Sequence, residues 1–318
     1  MEKNISQIHI SGYSLSLLDG ESSFDEITDA LEELKYKINE YAEWSKIEVI
    51  CMSDIVEYSS PEENEISLEY KLLSAADYDD SIYAYYLTLI EKAIGPYKSH
   101  LYTTSSLDKI TNQNEYTFPR NYAFCSKNLL WPNITEEKHT DSCLDTLQRN
   151  ASFIASVQTD EANFIELCIE NFYNIEFHPQ IVSTLNTIKR GTYLDYIFSI
   201  LICLNTLNKA HNLISKDPQK NEEDLLIIAG ITADFGKQFP CTRQGKNKPF
   251  FQFNNDGKII KINCEYHLKI NWNDKNIRDN NEDFLRLYFG LKYDENNKRK
   301  FIKVAHIGCH LPIKNNKI

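Results

Sequence analysis

Near its C-terminal end the sequence gathers side chains that could move protons and hold phosphate. FIKVAHIGCHL, 301–311, sets His306 and His310 around Gly308 and Cys309. FLRLYFGLKY, 284–293, supplies Arg286, Tyr288 and Lys292, and IIKINCEYHLKINW, 259–272, supplies His267 and Lys269. Alternate residues of a strand face opposite sides of a sheet. Read as one long strand, the third segment puts Ile260, Ile262, Cys264, Tyr266, Leu268, Ile270 and Trp272 on one face, and Lys261, Asn263, Glu265, His267, Lys269 and Asn271 on the other. In 284–293 the apolar face is Leu285, Leu287, Phe289, Leu291 and Tyr293. In 301–311, Phe301, Ala305, Ile307, Cys309 and Leu311 face the core; His306, Gly308 and His310 lie opposite, in company with Ile302 and Val304.

If these strands are neighbours, His267, Lys269, Arg286, Tyr288, His306 and His310 converge on one exposed face. Such a set is suited to RNA cleavage without a metal. One histidine near its ordinary pKa takes the 2′-hydroxyl proton while another protonates the leaving 5′-oxygen. Arg286 and Lys269 would stabilise the charge on the phosphorane, and Tyr288 would stack on a base. Gly290 and Gly308 leave room for close backbone approach. Two other readings stay open. The histidines can be plain surface residues of a solvated sheet. Alternatively, Cys264 with His267 and His306 with Cys309 form zinc-like spacings, but residues three apart on a strand diverge unless a bulge or turn intervenes.

The elements that must position these residues are partly legible. SSFDEITDALEELKYKINEYAEW is a helix, with Ser23 and Glu26 as a capping box and Ile27, Ala30, Leu31, Leu34, Ile38 and Tyr41 as its apolar stripe. IHISGYSLSLL, KIEVICMSDIVEY and EISLEYKLL are predicted strands, and SIYAYYLTLIEKAI a helix ended by Gly95-Pro96. Residues 100–150 are rich in turn formers and predict irregular structure, with Trp131 packing on a neighbour and His139 exposed in a charged run. Helices follow at TDEANFIELCIENFYN, capped by Thr159, at HPQIVSTLNTIK, and at TYLDYIFSILICLNTLNKAHNLI. His178 and His211 have no ligand-spaced partner and are structural; SKDPQKNEED is a linker.

Charge is asymmetric. Residues 237–318 hold 17 Lys/Arg against 8 Asp/Glu, a net of +9, while residues 1–236 net −21. A basic module of this kind points to an anionic partner, nucleic acid first, unless the two halves compensate each other within the fold. The eight cysteines include no CxxC pair and read as reduced, buried thiols. The N-terminal sequence lacks signal-peptide features, and YIFSILICL is too short to span a bilayer, so a soluble, cytoplasmic chain is expected. No GxxxxGKS, GxGxxG, HExxH or GxSxG motif is present.

RLYFGLKYDENNKRKFIKVAHIGCHL resembles the closing strand–turn–strand of RelE/YoeB/HigB-type bacterial toxins, which cleave mRNA. The resemblance spans about residues 284–312 and implies catalytic roles for Arg286, His306 and His310, with no cofactor or metal. The overall layout resembles accessory or effector proteins of bacterial anti-phage systems. The expected fold is α+β: an acidic α/β unit over 1–110, a loop and helical segment over 111–216, and a basic, RelE-like antiparallel sheet module over 217–318. The expected function is engagement of RNA or another nucleic acid by His267, Lys269, Tyr288 and Lys292, with or without cleavage. The alternative is a non-catalytic, protein-binding subunit of a defence complex, its acidic body taking a protein partner. No membrane partner is expected.

Overall fold

The structure, a computed structural model, describes residues 6–12, 23–43, 47–57, 67–112, 120–125, 131, 133–234, 239–245, 249–255, 257–277, 284–295 and 297–311. The chain is α+β, with a parallel sheet in its N-terminal part and antiparallel strands in its C-terminal part. It divides into two compact units, Met1–Arg149 and Asn150–Ile318. The expected limits near 110 and 216 fall inside these units.

Unit 1 runs β1 (Ser6–Ile10), α1 (Phe24–Glu43), β2 (Ile47–Cys51), α2 (Leu68–Ala75), α3 (Asp80–Ile94), α4 (Leu107–Thr111), β3 (Arg120–Phe124), β4 (His139–Thr140) and the start of α5 (Cys143–Ser156). The strands form a parallel sheet in the order β2-β1-β3-β4. The α1 stripe is buried as its spacing requires, and Glu26 accepts from the Ser23 amide at 2.8 Å, closing the capping box. The segment EISLEYKLL is not a strand. From Leu68 it is α2, started by the Ser67 hydroxyl accepting from Tyr70 N at 3.2 Å; the residues before 67, like those of the first predicted strand beyond 12, lie outside the described residues. The 100–150 region holds α4, β3, β4 and α5, where turn formers had suggested irregular structure. His139 is buried, not exposed: Trp131 N donates to its Nε2 at 2.7 Å, and its Nδ1 lies 3.0 Å from Thr135 O.

Unit 2 continues with α6 (Glu161–Asn171), β5 (Ile175–Phe177), α7 (Ile181–Leu185), α8 (Ile197–Leu213), α9 (Asn221–Asp234), β6 (Cys241–Arg243), β7 (Phe250–Asn255), β8 (Lys258–Asn263), β9 (Tyr266–Ile270), β10 (Leu285–Asp294) and β11 (Arg299–Gly308). Asp160, rather than Thr159, caps α6, accepting from Asn163 N. The predicted linker already contains the first turn of α9, whose Glu222, Glu223 and Asp224 suit the positive end of the helix dipole. A five-stranded sheet has the order β5-β11-β10-β9-β6, and β7 and β8 form a separate ribbon. One face of the large sheet carries Leu268, Ile270, Leu285, Leu287, Phe289, Ile302, Val304 and Ile307, all buried. The apolar helix α8 packs across β5, β9 and β11 to cover it.

Two departures from simple alternation matter. The thirteen-residue strand predicted through 260–272 is broken at Cys264 and Glu265 into β8 and β9. The β10–β11 register also shifts between Tyr288 and Phe289: Tyr288 opposes His306 but Phe289 opposes Val304, leaving Ala305 as an extra residue. This bulge reverses side-chain parity along β11. It returns Ile302 and Val304 to the apolar face while His306 stays on the polar one, and Ala305 packs instead with Phe253, Ile262 and Cys264 under the ribbon.

Candidate functional site

The polar face of the large sheet is built by register. Across β9, β10 and β11, His267 opposes Tyr288 and Tyr288 opposes His306, so two imidazoles flank one phenol ring. Ring centroids lie 4.9 Å apart for His267–Tyr288, 5.7 Å for Tyr288–His306 and 6.5 Å for Tyr288–His310. One step along β10, Arg286 opposes Lys269. Thus six of the seven residues singled out in the sequence do gather: His267, Lys269, Arg286, Tyr288, His306 and His310. Lys292 does not, being an exposed residue four positions from Tyr288 along β10, about 13 Å away.

The expectation of an exposed face is corrected. Tyr288 is 0% exposed, His267 and His306 4% and Arg286 8%, leaving Lys269 and His310 half-buried at the rim. The two glycines make room for the protein's own chain rather than for a ligand. A Cβ at Gly290 would stand 2.6 Å from Asn263 O and 2.7 Å from Ile262 Cγ2 of the ribbon. Gly308 is closed over by Thr184 and Thr187, at and just beyond α7, where Thr187 Oγ1 accepts from Cys309 N at 3.1 Å.

Local bonds fix the rings. Thr242 opposes His267 from β6 and sits 2.9 Å from its Nε2. His306 Nε2 donates to Cys309 O at 2.8 Å, and the Tyr288 hydroxyl accepts from Leu311 N at 3.3 Å. The Thr242 partner had no signal in the sequence, because a three-residue strand carries too little alternation to be read.

Burial lowers the pKa of all three histidines. His267 falls to about 3, first by desolvation, then by the charges of Arg286 and Lys269. Desolvation lowers His306, opposed by its bond to Cys309; His310 is lowered by desolvation and then by Arg286 and Lys269. The imidazoles are therefore neutral at pH 7. Burial also raises Tyr288 and lowers Arg286.

The cations are not all available to a partner. Lys300 is buried against Asp224 at 2.5 Å, Lys303 pairs with Glu176, and Arg243 pairs with Glu265 at 2.9 Å and Glu222 at 3.0 Å. Three charges of the +9 excess are thus offset by Glu176, Glu222 and Asp224 of the same unit. Arg286 and Lys269 differ: among the described residues neither meets a carboxylate. Arg286 Nη1 donates to Phe284 O at 3.1 Å, while its buried Nε has no hydrogen-bond partner; His267 is held by Thr242 at Nε2 and by the Glu265 backbone. The chain break at 264–265 sends Cys264 into the ribbon core, its thiol pushed up to about 12 by burial. Among the described residues no group of three or more His, Cys, Asp or Glu is placed to hold a metal ion. Nor, among them, is any helix long and apolar enough to cross a membrane.

No family model, curated protein or solved structure matches this chain.

Proposed function

We propose that the C-terminal unit binds a phosphate-bearing ligand, RNA foremost, at the polar end of its large sheet. The observation that carries this reading is the cross-strand pair Arg286–Lys269, two cations directly opposed with no acid between them among the described residues. Like charges directly opposed across strands are destabilising, and a buried unpaired charge costs several kcal/mol. A bound phosphate turns that cost into paired, charge-assisted hydrogen bonds. His310 at the rim and the unpartnered Nε of Arg286 add polar groups to the same end of the face.

Binding is better supported than cleavage. A general acid must hold a proton at the working pH, whereas all three imidazoles are depressed below their ordinary value. The His306 Nε2 is also engaged with Cys309 O. Cleavage through His306 and His310 with Arg286, as the toxin resemblance implies, requires the bound phosphate to raise at least one histidine back toward neutrality.

The test is fluorescence anisotropy with a short labelled RNA and the full chain, at about 50 and 200 mM salt. Binding is expected to weaken about tenfold or more in Lys269→Glu, and the log–log salt slope to fall in magnitude by about 1 for each phosphate contact removed. Absence of RNA binding, or binding indifferent to Lys269→Glu and Arg286→Met alike, would sink the proposal. Gel analysis of the same RNA decides on cleavage: products that vanish in His306→Ala or His310→Ala would restore the catalytic reading.

A further inference from the structure

The few cations that the described residues gather on this face say which phosphate it takes. A protein that tracks a nucleic-acid backbone spreads its cations along an open groove, one contact per phosphate. Here Arg286 and Lys269, without an acid partner among the described residues, form a single cross-strand pair, and only Lys269 and His310 of the cluster reach the rim. Tyr288 is fully buried and cannot offer its ring face to a base. The next basic side chain along β10, Lys292, stands about 13 Å from Tyr288 and is exposed. Among the described residues a continuous backbone therefore finds one paired contact on this face and no second one in line.

Charge points the same way. An internal phosphodiester carries one negative charge, whereas a phosphomonoester carries about −1.5 to −2 at pH 7 and three strong acceptor oxygens. Arg286 and Lys269 supply two positive charges. Arg286 Nε is a buried donor without a hydrogen-bond partner among the described residues. Charge and donor supply both suit a terminal group rather than a link in a chain.

Resting on the reading of this face as a phosphate site, we infer that its ligand is a phosphomonoester, the phosphorylated end of an RNA strand or a free mononucleotide, inserted end-on between Arg286 and Lys269. The reader of such a site distinguishes processed ends from unprocessed ones, because a hydroxyl end brings neither the charge nor the acceptors.

The experiment uses the full chain and one RNA sequence in three forms: 5′-phosphorylated, 3′-phosphorylated, and with hydroxyls at both ends. Nucleoside 5′-monophosphate and inorganic phosphate serve as competitors. One phosphorylated form is expected to bind at least tenfold more tightly than the hydroxyl form, with that advantage lost in Arg286→Met. Competition by the mononucleotide at similar concentration assigns the site to the monoester itself; competition only by RNA ends assigns it to the strand terminus. Equal binding of all three RNAs, abolished by Lys269→Glu, overturns the end-on inference and leaves the phosphate site standing. No binding of any probe removes both. If Arg286→Met does not fold, the comparison of the three RNAs on the unaltered chain still decides.

Discussion

Replacing Arg286 with methionine should separate a binding arginine from a structural one. The guanidinium is about nine-tenths buried, and its Nη1 donates to Phe284 O. Removing one partner of a buried ion pair ordinarily costs about 3–5 kcal/mol. Arg286 has no acid partner among the described residues, so a different sum applies. Loss of a charged hydrogen bond to the Phe284 carbonyl costs about 1.5–3 kcal/mol. Against it stands the desolvation of the buried charge, the first cause that lowers Arg286, a cost of similar order that the variant is spared. Methionine keeps the apolar stem and spares the desolvation of the charge. The expected change in the unliganded protein is therefore within about 1 kcal/mol, or about 2–4 °C in melting temperature for a domain of this size. A ligand at about one hundred times its Kd should stabilise the unaltered protein by about 2.7 kcal/mol and leave Arg286→Met unmoved. Differential scanning calorimetry with and without phosphorylated RNA measures both quantities. A loss of about 3 kcal/mol or more in the free protein, with no ligand effect on the parent, would show that Arg286 holds the fold.

Stability should decline on mild acidification. His267 is pushed down to about 3, so below its ordinary value near 6.5 the unfolded chain binds a proton that the folded chain refuses, and stability falls as pH drops. By pH 5.5 this amounts to about 1.4 kcal/mol from His267 alone, readable from urea midpoints at pH 7.5 and 5.5, and His267→Asn should remove that share while the part from His306 and His310 remains. Gly290→Ala should cost about 1–3 kcal/mol, because its Cβ would meet Asn263 O at 2.6 Å and the ribbon backbone has to move. Gly230→Ala in α9, with open space around the added methyl, should instead stabilise by about 0.5–1 kcal/mol in the same urea assay.

Long helices announced themselves in the sequence: α1 buries the residues its apolar spacing selects, while α8, apolar along its length, is buried on almost every side. Short elements did not. Alternation in EISLEYKLL mimicked a strand, while the Ser67 cap that starts α2 is one residue among many similar ones. Strand parity correctly gathered six polar residues on one face, since parity is a local property of the backbone. It failed wherever the chain added or broke a step, at the Ala305 bulge and at Cys264–Glu265, because neither leaves a compositional mark. Burial of the face was also out of reach. Alternation says which side a residue occupies, and only tertiary packing decides that α7 and the ribbon come to lie over that side.

The strand order of unit 2 carries a consequence for synthesis. β5 has one neighbour in its sheet, β11, and the two meet with Glu176 beside Lys303, 127 residues later. As the chain emerges from the ribosome, β5 therefore waits unpaired while α7, α8, α9 and the other strands are made. Loops closed over such separations form slowly, and a waiting edge strand is open to pairing with another nascent chain. Premature termination anywhere before β11 leaves that edge uncovered, so shortened products should be cleared or aggregate rather than persist as partly working molecules.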